Sequence, residues 1–168
     1  MSADCEGSVE SVHRAFSTAD YWLARLAVSP VDVATLEWLR VGGESASDGT
    51  VEVVTVQSML SQNLPALVTQ LHRGDLCVRR AERWGPVVDG AATAVIAGSI
   101  VDAPVSLSGT AVLSPIAGSG GARLTYRVSV HVRVPIIGGK IENIIGTQLI
   151  DLVTAEQRFT TTWVTKTA

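Results

Sequence analysis

Residues 135 to 164, PIIGGKIENIIGTQLIDLVTAEQRFTTTWV, decide how this chain folds. At about 100° per residue, the side chains of Ile141, Ile145, Gln148, Leu152, Ala155, Glu156, Phe159 and Trp163 fall on one side of a helix. At 1.5 Å per residue, such a helix is roughly 35 to 40 Å long, enough to cross a small domain rather than cap one end of it. A rod with one apolar side needs a surface to lie on, and the residues before it supply a sheet.

The plainest strand lies immediately upstream. Leu124, Tyr126, Val128, Val130, Val132 and Val134 alternate with Arg123, Thr125, Arg127, Ser129, His131 and Arg133, a period of two with one apolar and one polar side. Before it, Val105, Leu107, Gly109, Ala111 and Leu113 alternate with Ser106, Ser108 and Thr110, and Gly118 to Gly121 is a turn. Ala91 to Val101 reads as a strand of small residues between the turns at Asp89-Gly90 and Asp102-Ala103-Pro104. Leu76 to Trp84 is another, and Arg79, Arg80 and Arg83 give it an exposed side.

A run alternating through Ala34, Leu36 and Trp38 pairs as a hairpin with Thr50 to Leu60, across the turn-rich stretch Gly42 to Gly49. Pro65 begins a short helix with Leu67 and Leu71 on its apolar side and Gly74 at its end. Nearer the N-terminus, residues 9 to 26 read as one helix capped by Ser8. Val9, Val12, Ala15, Phe16, Ala19, Trp22, Leu23 and Leu26 recur at steps of three and four, and Ser17, Thr18 and Asp20 are able to break it in two. Seven residues remain ahead of it for an opening strand stub.

Consecutive strands joined by short turns pair antiparallel, because parallel neighbours need long crossovers. The fold class is therefore α+β: a curved antiparallel sheet of about six to seven strands wrapped around a long C-terminal α-helix, with one N-terminal helix and one short helix. The 168 residues fit a single domain spanning 1–168.

Composition narrows the function classes. Charged residues make up 17% and the net charge is −3, so the balance points to neither nucleic acid nor an anionic membrane as partner. The most apolar window, Ala91 to Val101, is far shorter than the roughly 20 residues of a membrane span, so no transmembrane segment is expected. The acidic start Met-Ser-Ala-Asp-Cys-Glu-Gly lacks the pattern of a signal peptide, and the expected location is cytoplasmic. Cys5 and Cys77 form neither a CxxC nor a disulfide framework and read as plain thiols.

Several motifs have a bland reading. Gly138-Gly139 sits before a helix without a Walker or GxGxxG context, so it reads as a sharp turn rather than a phosphate cradle. His13, His72 and His131 are scattered, read as surface residues and make no metal set, and no nucleophile has a base beside it. No catalytic residue, metal or cofactor is assigned. Trp84 and Trp163 read as core anchors. Arg123, Arg127, Arg133 and His131 read as a solvated sheet face, with a homodimer through it as the alternative.

The order of elements resembles the START-like, or helix-grip, superfamily of polyketide cyclases, plant pathogenesis-related proteins and lipid-transfer domains. More narrowly, it is similar to an actinobacterial family of unknown function within it. The residues carrying the likeness are Ala15-Phe16, Asp20-Tyr21-Trp22-Leu23-Ala24-Arg25-Leu26, Leu64-Pro65, Glu82-Arg83-Trp84 and Ala103-Pro104-Val105. To these are added Val134-Pro135-Ile136-Ile137-Gly138-Gly139-Lys140-Ile141-Glu142 and Glu156-Gln157-Arg158-Phe159-Thr160-Thr161-Thr162-Trp163. The likeness covers essentially the whole chain, with a shortened first strand.

The resemblance implies a ligand-sized hollow between sheet and helix, and the small residues Ala92, Ala94, Gly98, Gly109 and Ala111 point the same way. The expected lining is Trp38, Leu107, Gly109, Ala111, Tyr126, Val128, Val130, Ile145, Gln148 and Leu152. Gln148 and Glu156 fall on the helix side facing the sheet, where each needs a protein partner, water or a ligand. Glu156, near the far end of the helix, is expected to be exposed. The expected activity is binding or transport of a small hydrophobic molecule, a lipid, isoprenoid or polyketide-like compound, without catalysis. The alternatives are a cyclase- or hydratase-type enzyme using Gln148, Tyr126 or Glu156, and an interaction module.

Overall fold

In the computed structural model the described residues are 1–43, 48–133 and 138–167, with the Leu71 side chain outside the description. Along the chain come β1 (Ser2–Cys5), α1 (Val9–Phe16), α2 (Ala19–Ala27), β2 (Val33–Val41), β3 (Val51–Met59) and a 3-10 turn (Ser61–Asn63). They are followed by α3 (Ala66–Leu71), β4 (Leu76–Trp84), β5 (Ala92–Ile100), β6 (Val105–Pro115), β7 (Ala122–Val132) and α4 (Gly138–Thr167). The seven strands form one antiparallel sheet in the order β1-β7-β6-β5-β4-β3-β2, which curls around α4 in the helix-grip manner. The short N-terminal segment does form a strand: Ser2 to Cys5 pair with Thr125 to Ala122 of β7.

The expected single N-terminal helix is two. Thr18 takes extended angles and its hydroxyl donates to the Ala15 carbonyl at 2.9 Å, while the Ser17 hydroxyl donates to the His13 carbonyl. These side chains satisfy the carbonyls at the end of α1, and the chain restarts as α2 in a new direction. The turn shifts which residues face inward: Tyr21, Trp22, Arg25 and Leu26 are buried, and Leu23, expected inside, is exposed. Ser8 caps α1 as expected, accepting from the Ser11 backbone N–H.

A β-bulge changes the reading of β2. Leu36 pairs with Thr55 and Trp38 with Val54, so Glu37 is an extra residue and the alternation inverts past it. Leu36 and Leu39 pack against the core, whereas Trp38 lies on the outer face, 42% exposed. At the β4–β5 connection both Asp89 (φ 51°) and Gly90 (φ 74°) are left-handed, as a tight hairpin following the sheet's twist requires. The middle of the β2–β3 turn, Val134 and the lead-in to Gly138 lie outside the described residues, as does the Leu71 side chain expected on α3.

The inner face of the sheet is layered along the strands. At one end, Phe16, Tyr21, Trp22 and Trp84 form a buried aromatic cluster with ring centroids 4.9 to 5.8 Å apart, joined by Val51, Val53, Ala92, Ala94, Ala111, Leu113, Leu124 and Tyr126. The C-terminal half of α4 lies there in contact with β1, β7, α1 and α2, burying Val153, Glu156, Gln157, Thr160 and Val164, while Ala155, Phe159 and Trp163 of the expected face are half-buried. Tyr21 ties α2 to α4 through its hydroxyl, 2.6 Å from the Thr160 hydroxyl, and through a ring contact to Trp163.

Candidate functional site

One rung along from the aromatic cluster, the inward positions become polar. Arg80 and Glu82 alternate on the inner face of β4 between Val78 and Trp84, Thr55 and Gln57 do the same on β3, Arg25 comes from α2, and Glu156 from α4. All six are buried. Glu156 accepts from the Arg80 Nη2 at 2.7 Å and from Gln57 Nε2 at 3.2 Å, and lies 3.3 Å from Arg25 Nη2. Glu82 accepts from Arg25 Nη2 at 3.1 Å and from the Trp84 indole N–H at 3.2 Å. Arg80 Nε is within ion-pair distance of Glu82 Oε1, 3.3 Å, but not aligned as a hydrogen bond. The Arg25 guanidinium also stacks 4.2 Å from the centre of the Trp22 ring.

The charges balance, two arginines against two glutamates. Burial pushes the Glu156 carboxyl up, and Arg25 and Arg80 more than reverse this, holding it below the ordinary glutamate range. The Tyr126 phenol is raised well above its ordinary value, first by burial and then by Glu82, and burial raises Tyr21 too. This belt corrects two expectations. Arg80 is 6% exposed rather than on a wet face, and Glu156 is 4% exposed and fully partnered. His13, expected at the surface, is also buried, its Nε2 2.8 Å from the Gly85 carbonyl oxygen.

Beyond the belt, the strand ends, α3 and the first half of α4 enclose a cavity of about 420 Å³. The sheet contributes Met59, Leu76, Val78, Ile100, Val105 and Val132, the last inward residues of their strands. The other walls are Leu67 and Val68 of α3 and, from α4, Ile141, Ile144, Ile145, Gln148, Leu149 and Leu152. Polar side chains on the wall are few: Gln57 at the belt, and His72, Gln148 and Asp151 at half-exposed or exposed positions.

Of the ten residues expected to line a hollow, Ile145, Gln148 and Leu152 are on this wall. Leu107, Gly109, Val128 and Val130 lie at the level of the belt, Ala111 and Tyr126 in the aromatic core, and Trp38 on the outer face. Small residues do not leave space here. A Cβ on Gly109 would collide with the Arg127 carbonyl and the Val128 backbone, and one on Gly98 would meet the Arg79 carbonyl and Leu107. These glycines permit close approach of neighbouring strands in the curled sheet. Ala111 packs in the aromatic core, fully buried.

Sequence reasoning missed Gln57, Arg25 and Glu82 as inward groups. The signals were an arginine beside Trp22 and Leu26, and an Arg-Ala-Glu alternation leading into a core tryptophan. On the outer face, Arg123 pairs with Asp4 at 2.6 Å, Arg79 with Glu37 at 2.7 Å, and Arg40 and Arg83 with Glu52. Arg127, His131 and Arg133 are exposed. No helix among the described residues is long and apolar enough to cross a membrane.

The chain belongs to the family described as "Protein of unknown function (DUF2505)", whose model matches residues 1–164. It is 72% identical over 165 residues to uncharacterized proteins of Mycobacterium bovis and Mycobacterium tuberculosis, covering 98% of this chain and 95% of each of those. Among solved structures, a Thermus thermophilus protein shares its fold with a TM-score of 0.57 at 13% identity, over 100% of this chain and 97% of that one. A STAR-related lipid transfer protein from Xanthomonas axonopodis does so with a TM-score of 0.53 at 12% identity, over 95% and 82%. These two likenesses concern the fold alone.

Proposed function

We propose that this member of the family binds a small hydrophobic molecule, of lipid, isoprenoid or polyketide-like class, in the cavity between the sheet ends, α3 and α4, and acts as its carrier. The observation that carries the reading is the cavity itself. Its volume of about 420 Å³ falls within the roughly 300 to 1,000 Å³ of small-molecule sites, and its wall is nearly all aliphatic. The fold shared with a lipid transfer protein supports the same class of cargo. A non-catalytic carrier is favoured over a cyclase or hydratase by the state of the polar groups. Glu156 is saturated by Arg80, Arg25 and Gln57, and Tyr126 sits in the core, so of the three groups proposed for proton relay only Gln148 reaches the cavity.

Native mass spectrometry of purified protein, followed by solvent extraction, tests the proposal. The expected result is a co-purified apolar compound, or, after delipidation, one-to-one uptake of an apolar fluorescent probe. Uptake that is lost in Leu149→Trp, which fills the cavity from α4, assigns the site. Delipidated protein that takes up no apolar probe overturns the carrier reading.

A further inference from the structure

The wall of the cavity carries one buried polar group that the belt does not satisfy. Gln57 is 2% exposed and lines the cavity at its inner end. Its amide nitrogen is committed, donating to Ser29 Oγ at 2.9 Å and to Glu156 Oε1 at 3.2 Å. That orientation follows from chemistry: Glu156 sits between two arginines as a carboxylate, which only accepts, so the Gln57 atom facing it must be the N–H₂. The Gln57 carbonyl oxygen Oε1 is left with no hydrogen-bond partner among the described residues. A buried acceptor in that state carries a desolvation penalty that a donor alone can relieve.

We propose that the cavity selects an apolar molecule bearing a single neutral donor, a hydroxyl, which seats against Gln57 Oε1 while its hydrocarbon body lies along Met59, Val78, Ile100 and Leu152. The inference rests on the carrier reading and specifies the cargo. A carboxylate is disfavoured at that end because it would meet an acceptor, and because Arg25 and Arg80 are already matched by Glu82 and Glu156. An ammonium is disfavoured because no unpaired acid among the described residues faces the inner end. An ether or hydrocarbon fills the space and leaves Oε1 unsatisfied.

The test compares three probes on delipidated protein by displacement of a bound fluorophore: decanol, its isomer nonyl methyl ether, and decanoate at neutral pH. Decanol should bind about fivefold to tenfold more tightly than the ether, the scale of one neutral hydrogen bond, and decanoate most weakly. In Gln57→Leu the decanol advantage should disappear while the ether binds at least as well as before, which also certifies that the variant is folded. Independently of any variant, decanol and not the ether should shift one glutamine side-chain N–H₂ pair in the wild-type NMR spectrum. Equal binding of alcohol and ether by the wild type, or tighter binding of decanoate, overturns the hydroxyl assignment and leaves the carrier intact. Binding of none of the three removes both.

Discussion

Replacing Glu156 by glutamine keeps the shape of the side chain and removes its charge, leaving Arg25 and Arg80 to face Glu82 alone. Breaking one member out of a buried ion network costs about 3 to 5 kcal/mol, so Glu156→Gln should lower the unfolding free energy by that order in urea denaturation at neutral pH. The pH dependence has a definite sign. A carboxyl whose folded pKa lies below its unfolded value contributes stability above that unfolded value and loses it as pH falls through the folded one. The gap between wild type and variant should therefore be constant above the ordinary glutamate value of 4.5 and narrow below it. The two tyrosines give the opposite edge. Both are buried with pKa values raised above 10.0, so their stabilising contribution is complete below that pH and is lost above it. Ultraviolet absorbance should show little tyrosinate near pH 10 in the folded protein, with ionisation accompanying unfolding at higher pH.

Among the elements, two glycines should respond in opposite ways. Gly146 lies inside α4 with open space where a Cβ would go, so Gly146→Ala should raise stability by about 0.5 to 1 kcal/mol. Gly109→Ala forces a methyl into the backbone of β7 and should cost about 1 to 3 kcal/mol, read in the same denaturation experiment. The strands were legible because alternation is a strong local signal, and β4 runs over the residues its pattern implies, Leu76–Trp84. The bulge at Glu37 was not, because an inserted residue leaves the polar and apolar letters in order and only the pairing with Val54 and Thr55 reveals the inversion. The inner face of α4 was half legible. Ile141, Leu152 and Glu156 face inward as spaced, but Gln157 is buried by its bond to the Leu124 carbonyl of β7 and Thr160 by Tyr21 of α2, contacts that the spacing does not announce.

For the whole molecule, periodicity identifies the face of a strand and not the level along it. Leu107, Gly109 and Tyr126 point to the right side of the sheet yet sit at the belt or in the core, while the cavity is built by Ile100, Val105 and Val132 at the strand ends and by α3. That level is set by where Arg80, Glu82 and Glu156 meet, a contact between distant segments that no local pattern encodes. Binding at the far level should stabilise the whole chain by mass action, about 2.7 kcal/mol at a free ligand concentration a hundredfold above the dissociation constant. It should act first on α3, none of whose described side chains is buried. Hydrogen exchange should show the α3 amides opening more readily than those of the C-terminal half of α4, with protection rising on ligand addition. Unchanged α3 exchange in saturated protein would place the ligand elsewhere.

The aromatic cluster and the cavity wall have no residue in common, and the ionic belt stands between them. On the proposed carrier reading, cargo preference and foldability then fall to separate sets of positions. A library randomised among apolar residues at Met59, Val68 and Leu149 should return mostly soluble, cooperatively folding variants whose tastes differ, so descendants of one ancestor are free to diversify in what they hold while inheriting an unchanged scaffold.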